Sequence, residues 1–174
     1  MEPQSLRTDD QSFEQVLEHY AGMVYRLALA QVKQPSDAED IFQDVFLRYV
    51  DNRPAFQSEE HRKAWLIRVT INSCKKRWRS VCRRRETELL QQETVHFDAV
   101  EEQELFDALC MLRVPYRRAL YLFYYEDMSI AQISQVCRCK PSTVRTQLTR
   151  GRRQLKQILQ KDAFADETDI YKHV

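Results

Sequence analysis

Residues 129–159 read SIAQISQVCRCKPSTVRTQLTRGRRQLKQIL, and their spacing decides the fold. Ser129 is placed to cap a short helix whose Ile130, Ile133 and Val136 share one face. Arg138-Cys139-Lys140 makes a tight turn. A longer helix starts at Pro141 or Ser142, and proline suits a first helical position. Its inward stripe is Val144, Leu148, Gly151, Leu155 and Ile158, at helical steps. The outward face holds Ser142, Thr143, Arg145, Thr146, Thr149, Arg150 and Arg153 and carries no acid. A short helix, a three-residue turn and a long helix of this kind predict a DNA-reading helix-turn-helix. The second helix fits a major groove, its early side chains reach base edges, and flanking cations hold phosphates. A plain αα-hairpin shares the shape, and the acid-free polar face is what separates the two.

Working back from this motif, residues 116–125 (YRRALYLFYY) predict a compact aromatic helix after a break at Pro115. Its rings are able to stack on bases, but at this spacing core packing is the better reading. Helical pattern also runs through Leu105, Leu109 and Leu112. In the first half, residues 13–33 place Phe13, Val16, Tyr20, Val24, Leu27 and Ala28 at helical spacing. Pro35-Ser36-Asp37 is expected to stop that helix and cap the next. The next helix puts Ile41, Phe42, Val45, Phe46, Tyr49 and Val50 on one face, with Glu39, Asp40, Gln43, Asp44 and Arg48 opposite. Pro54 breaks the chain in a loop that carries Phe56. The long helix from about Glu59 to Arg85 then has two stripes. Ile67, Ile71, Cys74, Trp78 and Val81 face a core, while Arg68, Asn72, Lys75, Lys76, Arg79 and Arg83 form a cationic line. The fold class is all-α: a helical bundle over residues 10–85, an acidic linker at 86–100, a helix-turn-helix domain at 101–161 and a tail at 162–174.

The formal net charge of +1 conceals segregation. Residues 62–85 hold ten Lys or Arg and no acid, and residues 86–107 hold eight Asp or Glu and no base. Residues 138–161 hold eight Lys or Arg and again no acid. A single basic helix is usually a solvated face. Two acid-free ones joined by an acidic connector point to two contacts with a polyanion.

Composition excludes much else. Gly22 and Gly151 are the only glycines, so phosphate-cradling loops and dinucleotide fingerprints have no material. The four histidines (His19, His61, His96, His173) make no metal-ligand spacing, and no nucleophile turn occurs. No metal, cofactor or enzymatic activity is expected. Asp40 and Asp44 stand at i,i+4, where a docking face is the better reading than a metal site. Cys137 and Cys139 form a C-x-C without a nearby histidine, which reads as small residues in or near a core. Five scattered cysteines argue against a disulfide framework. No stretch approaches the roughly 18 apolar residues of a membrane span, and the N-terminus lacks a signal peptide's apolar core, so the cytoplasm is the expected location.

Both halves together resemble the extracytoplasmic-function sigma factors of the sigma-70 family, from about Phe13 to Leu159. The first half carries AEDIFQDVFLRYV and then Phe56, Trp65-Leu66, Ile71-Asn72 and Arg77 at the family's spacing. The second carries LRVPYRRALYLFYYEDMSIAQIS and STVRTQLTRGRRQLKQIL. The resemblance implies a bundle of the region 2 type and a helix-turn-helix of the region 4 type. It implies that Asp40, Gln43, Asp44 and Arg48 dock on core RNA polymerase. Phe56, Arg68, Asn72, Lys75, Lys76 and Arg79 would capture the melted minus-10 strand. Ser142, Thr143, Arg145, Thr146, Thr149, Arg150 and Arg153 would meet the minus-35 duplex. It also implies an anti-sigma factor as partner, often membrane-attached. Three departures stand out. Leu112-Arg113-Val114-Pro115 replaces the usual Leu-Pro, Arg138 and Lys140 stand where the turn usually has glycine and serine, and Gly151 replaces the alanine of Arg-Ala-Arg. The alternative is a stand-alone helix-turn-helix regulator, which leaves the double-striped helix unused.

Overall fold

The computed structural model describes the backbone of residues 12–52, 54–84 and 100–170 and the side chains within 12–52, 54–79 and 103–160. All regular structure among the described residues is helical: α1 (Phe13–Val32), α2 (Pro35–Asn52), α3 (Glu59–Arg84), α4 (Val100–Met111), α5 (Val114–Tyr124), α6 (Ile130–Cys137) and α7 (Pro141–Ile170). The chain divides into two compact units, Met1–Glu93 and Thr94–Val174. Residues 85–99, most of the expected acidic linker, lie outside the described residues, as do the side chains of Val81 and Arg83.

In the first unit, α1, α2 and α3 pack mutually. Ser12 starts α1 with a reciprocal capping box, its Oγ accepting from the Gln15 N–H while the Gln15 side chain accepts from the Ser12 N–H. Lys33, in the left-handed region at φ 65°, ends the helix by donating its N–H to the Leu29 carbonyl. Pro35 therefore does not stop α1; it is the first residue of α2, where its missing N–H costs nothing. The core joins Val16, Val24 and Leu27 of α1 to Ile41, Val45 and Phe46 of α2 and Leu66, Ile67, Ile71 and Cys74 of α3. The Trp78 Nε1–H donates to the Gln31 carbonyl at 3.2 Å, tying α3 to the end of α1.

In the second unit α7 packs on α4, α5 and α6. Pro115 again lies inside a first helical turn rather than before it, so α5 begins two residues earlier than its aromatic run. Arg117, 2% exposed, donates to the Cys110 and Leu112 carbonyls and so satisfies acceptors that α4 leaves open at its end. A Cβ on Gly151 would sit 3.0 Å from Leu120 Cδ1 and 3.3 Å from Tyr116 Cβ. The bare glycine is what lets α7 lie this close to α5. α7 also continues as helix to Ile170, into the segment set aside as a tail.

Candidate nucleic-acid interface

Two basic surfaces, one on each unit, emerge from these helices. On α7, Ser142, Thr143, Arg145, Thr146, Thr149, Arg150 and Arg153 are all exposed, while Val144, Leu148 and Gly151 are buried behind them. α6 is set by a second capping box, Ser129 with Gln132, and buries Ile133 and Val136. It ends at Arg138, whose φ of 54° and ψ of 52° are left-handed; its N–H donates to the Gln135 and Ser134 carbonyls. Three residues then separate α6 from α7. This is helix-turn-helix geometry, with the recognition helix's polar face unobstructed among the described residues. At its start a cleft of about 470 Å³ separates Thr143, Thr146 and Arg150 from Arg113 and Tyr116 of the α4–α5 corner.

On α3, Asn72, Lys75, Lys76 and Arg79 are exposed along one line at i, i+3, i+4 and i+7. Arg68 continues it but is half-buried. Phe56 lies inward of this line. It is 5% exposed, stacked on Tyr49 at 6.0 Å and edge-on to Trp65 and His61, with the Arg62 guanidinium 5.5 Å from its centroid. Its ring packs within the core of the first unit, between the end of α2 and the start of α3. Nor is the whole of the basic block available to a polyanion. Arg62 is 1% exposed and pairs with Glu59 at 2.8 Å. Arg77 Nε donates to Asp37 at 2.9 Å, and its Nη2 also reaches Asp40 at 3.1 Å. The Asp37 contact holds the Arg77 guanidinium above its ordinary pKa, with partial burial acting the other way.

The docking candidates on α2 differ among themselves. Asp40 and Gln43 are exposed, whereas Asp44 and Arg48 are half-buried. Asp44 accepts from Ser73 Oγ at 2.7 Å and pairs with Arg48 at 3.1 Å, so it also ties α2 to α3. Leu47 and Val50 project beside them, Leu47 at 63% exposure. Among the described residues no group of three His, Cys, Asp or Glu is gathered to hold a metal. No described helix is long and apolar enough to cross a membrane. Arg113 and Tyr116, which share the cleft with α7, escaped the helix-by-helix reading because their wall precedes the motif. Arg113's place in the Leu-Arg-Val-Pro departure was the available signal.

A family model described as Sigma-70 region 2 matches residues 16–85, and one described as Sigma-70, region 4 matches residues 102–155. The chain belongs to the sigma-70 family. RNA polymerase sigma factor SigV of Bacillus subtilis is 26% identical over 148 residues, which cover 79% of this sigma factor and 85% of that relative. ECF RNA polymerase sigma factor SigW of the same organism is 25% identical over 169 residues, covering 87% and 90%. The sigma factor RpoE from Bartonella quintana, solved in complex with the anti-sigma factor NepR, shares the fold at a TM-score of 0.74. Its identity is 22%, over 85% of this chain and 96% of that one. This protein is thus an extracytoplasmic-function sigma factor, which binds core RNA polymerase and directs initiation at promoters. The family to which the chain belongs, the sigma factors, is not a family of enzymes.

Proposed function

We propose that this sigma factor divides promoter recognition between its two basic faces. The region 2 bundle, residues 10–85, docks through α2 on the clamp helices of the polymerase's largest subunit. Asp40 and Gln43 make that contact directly, with Asp44 and Arg48 beside them. Asn72, Lys75, Lys76 and Arg79, with Arg68 behind, track the melted minus-10 strand, while Phe56 supports the loop over it. The helix-turn-helix domain, residues 101–161, lays α7 in the major groove of the minus-35 element. There Arg145, Thr146, Thr149 and Arg150 face bases, and Ser142, Thr143 and Arg153 flank them. The observation that carries this reading is the pair of exposed, acid-free faces on separate units, each within its own family match. A stand-alone regulator would leave the α3 face without a use.

The protein works by binding alone, in the cytoplasm. RpoE was solved with the anti-sigma factor NepR, and CnrH with the cytosolic domain of CnrY. By that analogy an anti-sigma factor restrains this chain, and it holds the chain at the membrane where that partner is membrane-attached.

The deciding experiment mixes the chain with core polymerase and follows co-elution, then initiation on genomic fragments. Co-elution and discrete new transcripts are expected. Asp40→Lys with Gln43→Lys should abolish both while leaving the fold intact, because both side chains are exposed and Arg77, which loses its Asp40 pair, keeps its bond to Asp37. Failure to co-elute, together with unaided binding to duplex DNA, would replace the proposal with the stand-alone regulator.

A further inference from the structure

We infer that Arg113 is an additional DNA contact of this chain, holding a backbone phosphate of the duplex across the cleft it shares with the recognition helix. The inference rests on the reading that α7 enters the major groove at the minus-35 element.

The chemistry of the cleft selects a phosphate. Arg150, Thr143 and Thr146 line it from α7, and Arg113 and Tyr116 line it from the facing corner. No carboxylate lines it. A guanidinium fork matches phosphate oxygens in pairs, and the Thr143 hydroxyl adds a donor, while Thr146 Oγ1 already donates to the Ser142 carbonyl at 3.0 Å. A cleft with two arginines and no acid in its lining repels cations.

Arg113 has no structural occupation that would explain it. It is exposed, and no ion pair or side-chain hydrogen bond of its guanidinium is found among the described residues. It sits at the N-cap of α5 without a side-chain capping bond, a position where serine, threonine, asparagine or aspartate would stabilise the helix. A cation there also opposes the positive end of the helix dipole, which favours anions. The chain thus keeps a locally unfavourable residue beside the recognition helix. A phosphate would neutralise the guanidinium and the helix end together.

The place fits as well. The opposite wall is the first three turns of α7, the N-terminal part of a recognition helix, which contacts base edges. Phosphates line both rims of a major groove, so a cation one helix away from those turns stands at the rim. There it fixes the register of α7 without reading sequence. Arg113 is a positioning contact in this sense, distinct from the base-facing residues.

The test uses holoenzyme, assembled from core polymerase and the full chain, on a duplex promoter fragment recovered from its own transcripts. Binding is measured against salt at a temperature too low for strand opening. One phosphate contact contributes about 0.9 to the slope of log affinity against log salt, so Arg113→Gln should flatten the slope by about that amount. Between about 50 and 200 mM salt the unaltered protein then loses roughly 3.5-fold more affinity than the variant. Ethylation of a single phosphate at the minus-35 edge should weaken the unaltered holoenzyme and no longer weaken the variant. Discrimination among minus-35 sequences should stay as it was. Arg145→Ala serves as the reference for α7. If it impairs binding while Arg113→Gln leaves slope and ethylation pattern unchanged, the Arg113 contact is refuted and the α7 reading survives. If Arg145→Ala also has no effect, the α7 reading fails and takes the Arg113 contact with it. A loss of core affinity in Arg113→Gln with an unchanged slope would mark Arg113 as a polymerase contact and equally overturn the proposal.

Discussion

Arg138 holds the turn between α6 and α7 in a conformation that L-residues other than glycine avoid, with φ at 54°. The left-handed region costs a residue with a Cβ about 1–2 kcal/mol, and glycine's greater freedom in the unfolded chain returns roughly half of that. Arg138→Gly should therefore stabilise the helix-turn-helix unit by about 0.5–1 kcal/mol, visible as a rise of a few degrees in its thermal midpoint. An unchanged or lowered midpoint would mean that the guanidinium contributes something the turn geometry does not reveal. The other departures from the family pattern also resolve residue by residue. Gly151 leaves room for Leu120 and Tyr116 in the close approach of α7 to α5, and Arg113 faces the cleft. Such details follow from contacts between helices, which no reading of one helix at a time supplies.

At the scale of elements, most of the helices were legible because each buries one stripe at helical spacing. Val16, Tyr20, Val24, Leu27 and Ala28 of α1 are buried as their pattern requires, while Phe13 at the helix start is exposed. On α7, Val144, Leu148 and Gly151 are buried while Leu155 and Ile158 are half-buried. What stayed hidden was the inner use of polar residues. Arg77 and Asp44 look like surface charges in sequence, yet each joins α2 to α3 across distances in the chain that periodicity cannot see. Arg62 is buried while it pairs with Glu59 in its own first turn. Tyr20 belongs to the same set. Its hydroxyl donates a hydrogen bond to Glu59, which also pairs with Arg62, and so connects α1 to the start of α3. Burial, then the Glu59 contact, pushes the hydroxyl's pKa above its ordinary value. The folded state thus favours the neutral phenol. Its contribution is complete below about pH 10, where the unfolded chain's tyrosine is also neutral, and is lost as pH rises beyond that. In urea titrations, the stability advantage of the unaltered protein over Tyr20→Phe should hold from neutral pH to about pH 9 and shrink above about pH 10. A constant gap across that range would show that the hydroxyl's environment differs little between folded and unfolded chains.

For the whole molecule, what matters is that a nearly neutral chain, at net +1, carries two concentrated cationic faces. Neutrality overall limits indiscriminate attraction to nucleic acid, while each face keeps the local density that phosphates require. If the faces serve successive steps, their losses should be separable. Lys75→Gln with Lys76→Gln should leave holoenzyme binding to closed duplex promoter nearly unchanged and depress strand opening, read as permanganate reactivity of minus-10 thymines. Single-stranded contacts contribute about 0.7 each to the salt slope, so the slope for opening should flatten by about 1.4 in the double variant. Arg145→Ala should do the reverse. It weakens closed-complex binding by roughly 1–3 kcal/mol if the side chain makes a bidentate base contact, and leaves opening intact on templates already melted at minus 10. Equal effects of both variants on both steps would mean that the faces act together on one stretch of DNA. A folded unit that carries only one face cannot produce the separable pattern, and this is why the second unit matters to the function.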